Sequence, residues 1–215
     1  MSRVYNLCFL IIINKKDSKK NMLIEYPEKN ITDNSKNIKI KGVAEYNENE
    51  RLSLEIEIIS NNQAKPLIVV MLNPSESGKE KEGIFIDQTI TNLIKIANEN
   101  NYNKIKVFNL LTEKEPNSRK VNYSNFNKDN IERILSEIND SSSDVLLAWG
   151  TRYKNNTKNI QVKNILENLK LRENVFTFCA KPNASFPKHP GRINIDCCRN
   201  CYGRKNKIDL KQYFS

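Results

Sequence analysis

The chain lacks any stretch long and apolar enough to cross a bilayer, which excludes a helical membrane anchor within it. Its first apolar run, in MSRVYNLCFLIIINKK, is bracketed by Asn6 and Asn14. No small-residue cleavage site follows, so the run reads as a strand rather than a signal peptide. There is no internal repeat and no low-complexity tract, which excludes solenoids and compositional tails. The five cysteines are an odd number, a poor basis for a closed disulfide framework, and the expectation is reduced thiols in a cytoplasm. Histidine is nearly absent: His189 is the only one. Cys197, Cys198 and Cys201 sit together in DCCRNCYGRK, and Cys179 or His189 would complete a zinc set. A lone C-x2-C without a second ligand pair is a weak signal, so neither a metal nor a cofactor is expected.

What the chain has is charge, unevenly placed. It is 38% hydrophobic and 28% charged over 215 residues, the composition of a globular chain of one ordinary α/β domain with a small appendage. The formal net charge is +10. Residues 150–215 carry 14 Lys and Arg against 4 Asp and Glu, whereas residues 1–149 carry 21 of each sign. A neutral front and a basic rear suit a polyanion meeting one side of the molecule. The plainer reading is a solvated basic face.

The periodicity divides the chain. Residues 1–62 read as a β-rich extension, an antiparallel layer or sheet edge, in which SLEIEI alternates as a half-exposed strand should. From residue 63 to 215 the pattern is strand and helix in turn. LIVVML, KIKVFNLL, DVLLAWG and NVFTFCA are short apolar strands, and DQTITNLIKIANEN, NKDNIERILSEI and QVKNILENL are amphipathic helices. KIDLKQYF is read as a closing helix. Strands separated by helices form a parallel sheet with helices on both faces. The expected fold class is therefore α/β, a three-layer α/β/α sandwich around a short parallel sheet.

In such sheets ligands lie beyond the carboxyl ends of the strands. The first strand ends in Asn73-Pro74-Ser75, the second in Asn109, the third in Trp149-Gly150-Thr151, and the fourth runs on to Lys188-His189-Pro190.

This set, over roughly Pro66 to Ser215, resembles the uracil-DNA glycosylase superfamily. In that superfamily a water-positioning motif follows the first core strand, and VVMLNPS stands there with Asn73 at the polar position. The resemblance implies a base-stacking role for Phe85 in GIFID, a base-edge reader in Asn109 of VFNLLT, and a second motif in KHPGRI, with His189 followed by a wedge loop. DVLLAWGTRYKNN is similar to the Leu-Trp-Gly-Ser segment of the uracil-specific enzymes. The run also resembles a small bacterial and phage family of unknown function with an MLNPS motif, a downstream Asp-x-Thr (Asp87 and Thr89) and a Pro-x-His-Pro terminus.

The chemistry implied is removal of a flipped-out base from DNA. A neutral imidazole N–H aimed at a base carbonyl is a preorganised donor, which suits His189. Asn73 can hold a water but cannot take its proton, so Asp87 is the candidate helper; its plainer role is to cap the helix beginning near Gln88. The amide of Asn109 offers a donor and an acceptor to a pyrimidine edge. Pro74 and Ser75 line the wall beside it, and the small Ser75 leaves room for a substituent on carbon 5 of the base. Phe85 serves equally well in the core, and Trp149 reads as core. Lys181, Lys188, Arg192, Ile193, Arg199, Arg204 and Lys205 are the candidate DNA-binding residues, with Ile193 as the wedge. The expected function is a monofunctional, monomeric DNA N-glycosylase acting on a pyrimidine, in base repair or in defence against modified phage DNA. The alternatives are a non-catalytic nucleic-acid or nucleotide-binding protein on the same fold, or a nucleoside N-glycosidase or transferase.

Overall fold

The computed structural model describes residues 12–13, 21–33, 36–48, 50–59, 65–74, 86–113, 127–140, 142–150, 160–169, 174–177, 187–192 and 206–207. Among these described residues nine strands form one mixed sheet in the order β1-β2-β3-β4-β6-β5-β7-β8-β9. Four of them run parallel at its centre: β5 (Pro66–Met71), β6 (Lys104–Asn109), β7 (Asp144–Leu147) and β8 (Val175–Thr177). The others pair antiparallel: β1 (Ile12–Ile13), β2 (Asn21–Asp33), β3 (Lys36–Asn47) and β4 (Glu50–Ile58) on one side, β9 (Asn206–Lys207) on the other. Three helices, α1 (Gln88–Glu99), α2 (Lys128–Asp140) and α3 (Ile160–Leu169), accompany the parallel strands.

The sheet is thus mixed and longer than a short parallel one. The β-rich segment continues it, because β4 docks antiparallel on β6 with Leu54 opposite Val107 and Ile56 opposite Ile105. Its long β2–β3 hairpin is tied back to α1 by Lys95 and Asp33, at 3.2 Å. The closing helix expected over KIDLKQYF does not include its first residue, since Lys207 pairs with Phe176 in β9; the rest of it lies outside the described residues.

Burial follows the pattern of the sequence. The unbroken apolar run of β5 is buried on both faces because helices cover both. Leu67, Val69 and Met71 join Ile90, Leu93, Ile94 and Ala97 of α1 in one cluster. Ile68 and Val70 join Ile131, Ile134 and Ile138 of α2 and Ile165, Leu166 and Leu169 of α3 in the other. The alternating β4 instead sends Leu54, Ile56 and Ile58 to the α1 side and leaves Ser53, Glu55 and Glu57 half-buried.

The chain leaves β5 for β6 on one side and returns to β7 on the other. The strand order therefore reverses at β5, and the carboxyl ends of β5 and β7 form the switch point at which such sheets bind ligands.

The opposite, amino end of the sheet is closed by a polar knot. Asp144, 1% exposed, accepts from Lys65 Nζ at 2.5 Å and from the Tyr102 hydroxyl. Burial, and then the bond to Asp144, push the Tyr102 phenol well above its usual range. Folding thus favours the neutral phenol, and this stability, complete below about pH 10, is lost as pH rises beyond it. Tyr102→Phe is expected to cost about 1.5–3 kcal/mol at neutral pH, the usual worth of a hydrogen bond to a charged group. Urea unfolding should show that loss, and a smaller fall in stability than the wild type above about pH 10.

Candidate functional site

The carboxyl ends of β5, β6 and β7 stay in register beyond the strands. Leu110 N donates to Met71 O at 2.9 Å, Leu111 N to Leu72 O at 2.8 Å, and Ala148 N to Val70 O at 2.8 Å. Side chains alternate across a sheet, so Asn109 falls on the face of Val107 and Met71, which is the face α1 covers.

Asn109 is fully buried at 0% exposure, and neither Oδ1 nor Nδ2 has a hydrogen-bond partner among the described residues. Its backbone carbonyl does have one, Nδ2 of Asn130 on α2 at 2.8 Å. Buried amides are normally satisfied, and one that is not calls for a ligand or water. Asn73 is half-buried at the end of β5, with Nδ2 donating to Pro74 O at 3.3 Å, and Pro74 is buried beside it.

His189 reaches this end from the far side. A short 3-10 turn, Pro190–Arg192, follows it and packs on α1. Gly191 N donates to His189 Nδ1 at 3.1 Å. An N–H donor at Nδ1 requires a lone pair there, so the proton of the neutral imidazole resides on Nε2. Gly150, with φ +84°, lies against the histidine: a Cβ on it would stand 3.1 Å from His189 Cβ. A Cβ on Gly191 would stand 2.5 Å from Thr89 Oγ1 and 3.3 Å from His189 Nδ1. Both glycines therefore permit the close approach of the turn, the third strand end and α1. Gly150→Ala is expected to cost about 1–2 kcal/mol from the left-handed backbone alone. It should also displace His189, which a thermal melt and the position of the single imidazole signal by NMR would read.

Asp87 is the N-cap of α1, its Oδ1 accepting from Ile90 N at 2.8 Å. The carboxylate proposed as a catalytic helper is therefore engaged at the helix start. Lys188 is half-buried next to His189, and Trp149 is buried in the core on the α2 side. The backbone of Arg192 closes the 3-10 turn. Ser75, Phe85, Lys181, Ile193, Arg199, Arg204 and Lys205, and the four candidate zinc-binding cysteines, lie outside the described residues. Among the described residues no three His, Cys, Asp or Glu converge as a metal site. None of their helices is long and apolar enough to cross a membrane.

One residue that sequence reasoning missed is Arg51. It is the second residue of β4, opposite Tyr46 across an irregularity in the β3–β4 ladder, and its N donates to Thr112 O at 3.2 Å. That places it at the carboxyl end of β6. The side chain is buried, with Tyr46, Tyr26 and Asp87 in its field. Burial lowers the guanidinium below its usual range, while the two tyrosines and Asp87 act in the opposite direction. In sequence Arg51 looks like an ordinary polar residue opening an alternating strand. Only the ladder irregularity turns it toward the core. Thr89 and Asn92, the α1 residues nearest the histidine turn, were likewise legible only as helix positions, although Thr89 belongs to the Asp-x-Thr motif.

A family model described as "Protein of unknown function (DUF1643)" matches residues 51–191, from Arg51 to Gly191. No curated protein and no solved structure matches the chain.

Proposed function

The chain belongs to the DUF1643 family of proteins of unknown function, and we propose that it binds a pyrimidine base extruded from DNA and cleaves its N-glycosidic bond. The observation that carries this reading is the amide of Asn109, buried at a strand end with neither polar atom partnered among the described residues. A donor and an acceptor side by side match a pyrimidine edge, and a base can reach a buried site only when it has left the stack. His189, with its proton on Nε2, is suited to donate to a carbonyl oxygen of the departing base, where negative charge develops. Asn73 would hold the attacking water on the other side of the sugar. The α1 layer, the sheet, and the α2–α3 layer would then form the three-layer α/β/α frame of a glycosylase. The basic residues after position 150 would meet the phosphates.

The capping role of Asp87 favours a second reading, base binding without hydrolysis. With Asn73 an amide and Asp87 at the helix start, activation of water would fall to a group outside the described residues, or the reaction would be largely dissociative.

The deciding experiment incubates the protein with duplex and single-stranded oligonucleotides carrying uracil, thymine, 5-hydroxymethylcytosine or glucosylated cytosine, followed by alkaline cleavage of abasic sites. Strand scission with any of these supports excision. Salt-sensitive binding without scission selects the second reading, and neither binding nor scission removes both. The small Ser75 makes the bases substituted at carbon 5 the expected substrates.

A further inference from the structure

We propose that Asn92 of α1 is the positioning residue of His189, acting through the carbonyl of Pro190. The inference rests on the reading of His189 as the group that meets the base, and it concerns how that imidazole is held.

Asn92 is 2% exposed, in the second turn of α1, and its Nδ2 donates to Pro190 O at 2.8 Å. A carbonyl can only accept, so the amide orientation is set by chemistry: its NH2 faces Pro190 and its Oδ1 faces the other way. Oδ1 then accepts from Gln88 Nε2 at 2.8 Å, one helical turn earlier. The chain of contacts runs from Gln88 at the start of α1, through Asn92, to the peptide joining Pro190 and Gly191.

That peptide is the one whose N–H meets the histidine. The Pro190 carbonyl and the Gly191 N–H belong to the same planar unit and point in opposite directions. Holding the carbonyl therefore aims the N–H, which donates to His189 Nδ1 at 3.1 Å. Thr89 limits the freedom of the same unit from the other side, since even a methyl on Gly191 would come within 2.5 Å of its Oγ1. Asn92 so determines which ring nitrogen of His189 accepts and which carries the proton. An asparagine on the polar side of an amphipathic helix, buried under the histidine turn, costs desolvation, and this bond across 98 residues of sequence offsets it.

The chain has a single histidine, so its ring nitrogens can be observed without assignment ambiguity. The test uses the full-length protein labelled with nitrogen-15. Two-bond proton–nitrogen correlations are recorded near pH 8 for the wild type, Asn92→Asp and Gln88→Ala. Asn92→Asp keeps the shape but presents an oxygen to the Pro190 carbonyl, so the clamp is lost. The wild type should show one tautomer, with Nε2 protonated and Nδ1 bare. Asn92→Asp should show averaged shifts of a mixed population. Base release should fall on the order of 10²-fold, the scale of a misplaced catalytic group, with KM little changed. Gln88→Ala, on the exposed start of the helix, should shift the tautomer balance in the same direction by less, and it decides the matter if Asn92→Asp fails to fold. An unchanged single tautomer in the folded Asn92→Asp protein, or in Gln88→Ala if that is the only folded variant, would overturn the inference. Absence of base release from the wild type would remove the excision reading, while the nitrogen spectra would still decide whether Asn92 sets the tautomer.

Discussion

His189→Ala is expected to lower base release by about 10²–10³-fold, the usual loss when one preorganised donor is removed from a dry site. DNA affinity should change little, because on the proposed reading the phosphates would be met by the basic residues of the C-terminal third and not by the imidazole. The fold should survive, since His189 is half-buried and its neighbours Gly150 and Gly191 make room for it without covering it with apolar side chains. The measurement is a single-turnover time course with protein in excess over a labelled oligonucleotide, beside a binding titration at low salt. A variant that retains the wild-type rate removes His189 from the chemistry. A variant that loses rate, affinity and melting temperature together makes the residue a structural pin between β7 and α1.

The parallel half of the fold was legible because its signals are local and redundant. A six-residue apolar strand such as β5 and a helix with apolar residues three and four apart each declare themselves, and alternation of the two types implies the crossover order. Asn73 and Asn109 could be assigned to the carboxyl ends of β5 and β6 for the same reason: a strand's last residue has a position in a parallel sheet before any coordinates exist. The role of β2–β4 was not legible, because antiparallel pairing depends on register between distant segments. Nothing in RLSLEIEI announces that it will dock on KIKVFN. Arg51 illustrates the cost. Its burial comes from an irregular step in the β3–β4 ladder that turns its side chain to the core face, and such a step leaves no mark in the hydrophobic pattern. Asn92 was hidden differently, as a polar residue in an amphipathic helix that looks solvent-facing until the histidine turn, 98 positions later, is laid against it.

Asn109→Leu separates function from stability most sharply. Leucine has the heavy-atom count and branching of asparagine, with two bulkier methyl groups in place of the amide atoms, and Met71 and Val107 beside it on the α1 face are apolar. If the amide is kept for a ligand, its buried donor and acceptor are a standing penalty in the free protein. Relieving an unsatisfied buried polar group is worth about 1–3 kcal/mol. In a chain of this size each kcal/mol moves the melting temperature by about 2–4 °C. The variant should therefore melt higher than the wild type. It should also lose base release on the order of 10⁴-fold, because the polar edge of the base would enter a site with nothing to pair it. The two readings come from one protein sample, by calorimetry and by the abasic-site assay. A lower melting temperature, if Asn109→Ala is destabilised as well, would mean that the amide is satisfied by residues outside those described and that Asn109 holds the protein together; a loss confined to the leucine variant would report overpacking. A higher melting temperature with undiminished base release would leave the amide without a role in recognition and move the search to Asn73 and Arg51.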